Sequence, residues 1–189
     1  MFWVDLEMSG LDEKKCHILE VAVIVTDIDF NELETYQRIV YQPPAVLEAM
    51  DDWCKKTHGA SGLTKAVATG TPLVDVEAEL IDLAKRHGWT TIPTSGSGGG
   101  KQRADERIVL CGNSVGNDKR FLDYYLTDFA KFLHYRVVDV SSFKEVYRSK
   151  WGFEFKKGDE RHRALEDVQA SISELRAYLS FVTPPGTTS

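Results

Sequence analysis

Phe2-Trp3-Val4-Asp5-Leu6-Glu7 is the stretch from which the rest of the chain is read. Phe2, Val4 and Leu6 alternate with Trp3, Asp5 and Glu7, the period of two that sends successive side chains to opposite faces of a strand. Asp5 and Glu7 therefore share a face with Trp3. Two carboxylates side by side on a strand otherwise rich in large apolar residues are costly unless a cation or hydrogen-bond donors compensate. A solvated strand face would also accommodate them, so the pair alone leaves both a metal site and an exposed edge open.

Working outward, residues 18–26 form an apolar, β-branched run, and a third strand is expected over 36–41, with 27–31 as the hairpin connection. Pro43-Pro44 ends the sheet pattern, and helices are expected over 45–57 and 72–87. Residues 90–106 are polar and Gly/Ser-rich and read as a loop or insertion. They do not make a phosphate-cradling loop: Ser95 stands where its first glycine belongs, and Gln102 follows Gly100-Lys101. A strand over 108–111, the turn Gly112-Asn113-Ser114, a helix over 117–133 and a strand over 137–140 come next. Ser142-Phe143-Lys144-Glu145 has the form of a capping box and should open a helix ending near Trp151. A basic loop over 155–161 leads to a last helix over 164–181, after which residues 183–189 should fray. Three strands followed by alternating helices and strands imply a single α/β domain over 1–182, a mixed sheet with helices packed on it.

The 189 residues are 42% hydrophobic and 28% charged, ordinary for a globular domain. The net charge of −6, from 23 basic and 29 acidic residues, argues against holding long nucleic acid by phosphate neutralisation. It leaves room for an enzyme with a small nucleic-acid substrate, where bound ions supply the local positive charge. Cys16, Cys54 and Cys111 form no close pair, the longest apolar run (residues 21–25) is too short for a bilayer, and acids replace the basic start of a leader. The expectation is a soluble, cytoplasmic protein without membrane contact.

Asp118 lies one turn before Leu122, on the inward stripe of its helix. The helix dipole alone would favour a first-turn acid there, yet an inward acid just past a strand end also stands where open α/β sheets place ligands. Asp167 falls at the margin of the last helix's apolar stripe, beside Ala164 and Ser171, and His162 sits at or just before that helix's start. Taken together, four acids and one histidine suit a site for two divalent ions about 3.5–4 Å apart, because such ions prefer hard oxygen ligands. A nearby imidazole that titrates near neutrality can take the proton from an attacking water.

Four segments carry a resemblance over nearly the whole chain. Residues 2–12 (FWVDLEMSGLD), 111–118 (CGNSVGND), 134–142 (HYRVVDVSS) and 162–167 (HRALED) resemble, in order, the motifs of the oligoribonucleases. The resemblance implies a ribonuclease-H-like fold, a mixed five-stranded sheet flanked by helices, within the DEDD exonucleases that use His in the last motif. It implies that Asp5, Glu7, Asp118 and Asp167 are the catalytic acids holding two Mg²⁺ or Mn²⁺ ions, and that His162 is the general base. Leu11 matches a leucine that wedges between substrate bases, and Trp53 and His58 match residues that stack on or touch the substrate. Ser114, Arg136 and Ser141 match a cap around the 5′ phosphate, with Tyr135 reaching in from the partner subunit of a homodimer. The implied reaction is 3′-to-5′ hydrolysis of very short RNA oligonucleotides, dinucleotides above all, to 5′ nucleoside monophosphates.

Local explanations compete for single residues. Trp53 shares a helical stripe with Met50 and Leu47, which core packing would explain; Arg136 would serve as a surface ion-pair partner; Ser141 or Ser142 would cap the next helix. The chemistry nevertheless suits the site, since Arg offers planar paired donors to phosphate and stacking a base on an aromatic gains about 1–3 kcal/mol. The insertion at 95–100 and the short basic loop before His162 depart from the family pattern. Two other functions stay in view. A broader exonuclease on longer RNA or single-stranded DNA ends is opposed by the acidic total and the cap, and a non-catalytic nucleotide-binding module by five filled positions.

Overall fold

The computed structural model describes residues 1–91, 107–156 and 163–182. Strand β1 (Phe2–Met8) forms where the alternation predicts it, and β2 (Ile18–Thr26) is buried along its whole length. A strand covered on both faces reads as a continuous β-branched run. Strand β3 (Glu32–Ile39) starts four residues ahead of the stretch expected, because its exposed beginning is polar and hides the alternation. The connection between β2 and β3 is the expected hairpin. The Asp27 amide donates to the Asn31 carbonyl at 3.0 Å, and the Asp27 carboxylate accepts the Asp29 and Asn31 amides at 2.9 Å each.

With β4 (Ile108–Gly112) and β5 (Leu133–Asp139), the sheet runs β3-β2-β1-β4-β5. β1–β2 and β2–β3 pair antiparallel, β1–β4 and β4–β5 parallel, giving the mixed five-stranded sheet expected. β5 begins at Leu133 rather than at 137. Its register skips, with Leu133 opposite Ile108 and Val137 opposite Leu110, and the polar bulge between them breaks the alternation from which a strand is read.

The described helices are α1 (Pro44–Glu48), α2 (Asp52–Ala60), α3 (Leu63–Ala66), α4 (Leu73–Arg86), α5 (Gly116–Tyr125), α6 (Val140–Trp151) and α7 (Ala164–Leu179). The one helix expected over 45–57 is two, because the Asp51 carboxylate accepts the Cys54 amide at 2.7 Å and starts a new helix. The helix expected over 117–133 stops at Tyr125. A 3-10 turn over Phe129–Phe132 then carries buried Phe129 and Phe132, so the apolar period outlives the α-helix. α6 begins earlier than expected, capped by Asp139 rather than by Ser142.

On one face of the sheet Phe2, Val4 and Leu6 pack with Val76, Leu80 and Leu83 of α4 and Phe121 and Leu122 of α5. On the other, Trp3, Ala22, Ile24 and Cys111 pack with Val168, Ile172 and Leu175 of α7 and Tyr147 of α6. A smaller cluster of Leu19, Met50, Cys54, Leu63 and Val67 seats α2 and α3. Asp5 and Glu7 thus continue the face that α7 covers. Most of the Gly/Ser-rich stretch, the residues 157–162 that include His162, and the tail 183–189 lie outside the described residues. Among the described residues no helix is long and apolar enough to cross a membrane.

Candidate active site

In the antiparallel register Asp5 lies opposite Ala22 and Glu7 opposite Glu20. α7 brings Asp167 to the same face from its first turn, where the helix dipole favours a negative charge. One carboxylate oxygen each from Asp5, Glu7 and Asp167 lies within 4.8 Å of the others, and all three residues are half-buried. Such a cluster is short of positive charge. The Glu7 carboxyl is pushed up to about 8, by burial first and then by the charges of Asp167, Glu20 and Asp118, with Arg163 opposing. Three converging carboxylate oxygens are the donor set that a hard divalent cation takes, so these residues fit the metal that the resemblance implies.

Asp118 is buried at the start of α5, and its Oδ1 accepts the Leu6 amide at 2.9 Å. The paired part of β1 and β4 ends at Trp3 and Cys111, so this bond satisfies a β1 donor beyond the ladder. Burial and the nearby Asp139 raise the proton affinity of Asp118, against hydrogen bonds from the Leu6 amide and its own. Asp118 is outside the three-acid cluster, although its charge is felt at Glu7. Gly112 permits the approach of the two segments: a Cβ there would lie 2.7 Å from the Val4 carbonyl oxygen.

Two buried glutamates that sequence reasoning passed over hold α7. Glu20, fully buried in β2, receives Arg163 through both Nε (3.0 Å to Oε2) and Nη2 (2.7 Å to Oε1). It also accepts Gln37 Nε2 at 2.7 Å and the Ala164 amide at 3.4 Å. It thereby serves as the N-terminal acceptor that Arg163, at the cap position of α7, cannot supply. Farther along α7, Glu174 accepts Asn113 Nδ2 at 2.7 Å and the Tyr178 hydroxyl at 3.0 Å, tying the helix to the turn ahead of α5. A charged residue inside the uniformly apolar run of β2 was the available signal for Glu20.

The expected substrate contacts divide. Leu11 and Trp53 are 69% and 61% exposed, while Met50 is buried, so core packing does not account for Trp53. Leu11 rides on a loop closed by the Ser9 amide to the His17 carbonyl (2.9 Å), and Arg120 of α5 donates to the Leu11 carbonyl at 3.3 Å. His58 is buried instead of displayed. Its Nε2 donates to the Met8 carbonyl at 2.9 Å and its Nδ1 lies 3.8 Å from Glu7 Oε2. Tyr135 is exposed on β5 with the Arg136 guanidinium 5.3 Å from its ring centre. Ser114, in a left-handed conformation (φ 53°), and Ser141 both donate to Asp139.

The chain is similar to known nucleases in sequence and in fold. An exonuclease family (RNase_T) matches residues 2–87 and 99–175. The mitochondrial oligoribonuclease of Homo sapiens is 42% identical over 183 residues, 94% of this chain and 71% of that protein. The oligoribonuclease of Marinobacter nauticus is 40% identical over 182 residues, 94% of this chain and 93% of that protein. In fold, the chain is similar to exonuclease I from Methylocaldum szegediense, with a TM-score of 0.62 at 15% identity over 95% of this chain. This chain spans 40% of the length of that structure.

Proposed function

Since the chain belongs to the oligoribonucleases within the exonuclease family, we propose that it is a 3′-to-5′ exoribonuclease that reduces very short RNAs, dinucleotides above all, to 5′ nucleoside monophosphates. The observation that carries this reading is the meeting of Asp5, Glu7 and Asp167, from opposite ends of the chain, within 4.8 Å. These three, with Asp118, would hold two Mg²⁺ or Mn²⁺ ions. Bound there, such ions offset charge on the scissile phosphodiester and favour both the entering and the leaving oxygen.

The protein's own groups supply the rest. His162, assigned by its place in the last motif, takes the proton from the attacking water at a ring nitrogen. Trp53 offers a face on which a base stacks, and Leu11 stands exposed to separate it from its neighbour. His58 buttresses Glu7 and the end of β1. Ser114, Arg136 and Ser141 enclose the 5′ phosphate, which gives a physical reason for a length limit: a cap closed on a terminal phosphate leaves no path for further nucleotides. A homodimer is supported by β5, a sheet-edge strand that leaves Tyr135 and Val137 exposed. Three free cysteines suit the reducing cytoplasm.

The test is product analysis on 5′-labelled RNAs of two to seven nucleotides with Mg²⁺ and with chelator. The expected result is fastest cleavage of the dinucleotide, abolished by chelator and by Asp5→Ala or His162→Ala. Equal rates across the lengths would favour the broader exonuclease, and unchanged hydrolysis in both variants would refute the catalytic assignment.

A further inference from the structure

Asp139 has no part in the proposed reaction, yet its carboxylate joins two segments of the site. It ends β5 as the register partner of Gly112, at the carboxyl ends of the parallel strands, and caps α6. Capping requires only the Ser141 amide, which donates to Asp139 Oδ1 at 3.0 Å. The same oxygen accepts the Ser141 hydroxyl at 2.7 Å and the Ser114 amide at 2.9 Å. The last of these bonds holds a non-glycine residue at φ 53°, a conformation that needs support from its surroundings.

We propose that Asp139 is the positioning residue for recognition of a 5′-terminal phosphate, one carboxylate oxygen fixing Ser114 and Ser141 at a set spacing. The inference rests on the reading of Ser114, Arg136 and Ser141 as the phosphate cap. The two serines come from different turns, and without a shared acceptor each would sample its own conformations. Ordering them before the substrate arrives removes that cost from binding. The Ser114 and Ser141 amides on Oδ1 also offset the repulsion that a carboxylate would otherwise exert on a phosphate, and the Ser141 hydroxyl, whose single proton lies on Oδ1 here, turns to donate to the phosphate when it binds.

The experiment compares kcat and KM for diadenylate with and without a 5′ phosphate in four proteins: wild type, Arg136→Ala, Asp139→Ser and Asp139→Asn. Serine still caps α6 but is too short to reach Ser114, whereas asparagine keeps an acceptor oxygen in place. The expected result is a wild-type preference for the phosphorylated dinucleotide that Asp139→Ser lowers about tenfold, through KM more than kcat, the effect of one charge-assisted hydrogen bond. Asp139→Asn should keep the preference within about twofold, since the acceptor geometry survives. If Arg136→Ala lowers the preference and Asp139→Ser does not, the inference about Asp139 fails while the cap stands. If the wild type has no preference, cap and inference fall together. Equal losses on both dinucleotides in Asp139→Ser, or a tenfold fall in Asp139→Asn, would also overturn it. Asp139→Thr, a second short cap, takes the place of Asp139→Ser if that variant does not fold.

Discussion

Trp53 and its neighbour Cys54 show how adjacent positions can serve different ends. Cys54 is buried in the small cluster beneath α2, while Trp53 is 61% exposed. Removing a mostly exposed ring should leave stability within about 0.5 kcal/mol. Removing a stacking platform should raise the KM for a dinucleotide about tenfold. Trp53→Ala is therefore expected to melt like the wild type and bind substrate poorly; steady-state kinetics beside a thermal melt would check this, and a large drop in melting temperature would place Trp53 in the core after all. Asp5 and Glu7 were legible in the sequence because a strand's period of two puts acids two apart on one face. Glu20 was not. It occupies a position that the pattern assigns to the core, and its partner Arg163 is 143 residues away, so no local reading could pair them.

At the level of elements, α7 is positioned by polar contacts at both ends as well as by its apolar stripe. Among the described residues, Arg163→Ala would leave the buried Glu20 carboxylate with Gln37 and the Ala164 amide as hydrogen-bond partners. Removing one partner of a buried ion pair costs about 3–5 kcal/mol, and the part exposure of Arg163 places the expectation near the lower end, about 3 kcal/mol. Urea unfolding should show that loss, and Glu20→Gln added to Arg163→Ala should recover part of it by removing the stranded charge; no loss in the single variant would mean that the pair does not hold α7. The elements that the sequence disclosed well, β1, β2, α4 and α7, are those whose apolar period matches their own geometry. Those it blurred have identifiable reasons. A bulge interrupts β5, a carboxylate restarts the chain at Asp51, and a 3-10 turn carries on the core stripe of α5.

For the molecule as a whole, the charge imbalance at the acid cluster couples folding, pH and metal. The Glu7 carboxyl rises from 4.5 to about 8 on folding, so the fold favours its neutral form. That effect is absent below 4.5 and grows more destabilising as pH climbs towards 8. The metal-free protein should melt at a lower temperature at pH 8 than at pH 5.5, and Mg²⁺ should raise the melting temperature more at pH 8, because the ion and protons compete for the same oxygens. Differential scanning calorimetry with and without chelator tests both; equal stabilisation by Mg²⁺ at the two pH values would contradict the coupling. The proposed homodimer has its own test. If Tyr135 acts across subunits, a mixture of inactive Asp5→Ala and Tyr135→Ala proteins should recover activity as mixed dimers form, and a mixture no faster than its parts would place Tyr135 in its own subunit's site or in none. The distance along the chain between β1 and α7 has a further consequence. During synthesis, β1 leaves the ribosome with Asp5 and Glu7 long before Asp167 exists to join them, so the acid cluster cannot form until α7 has been made. Hydrolysis therefore waits until α7 is made and docked on β1.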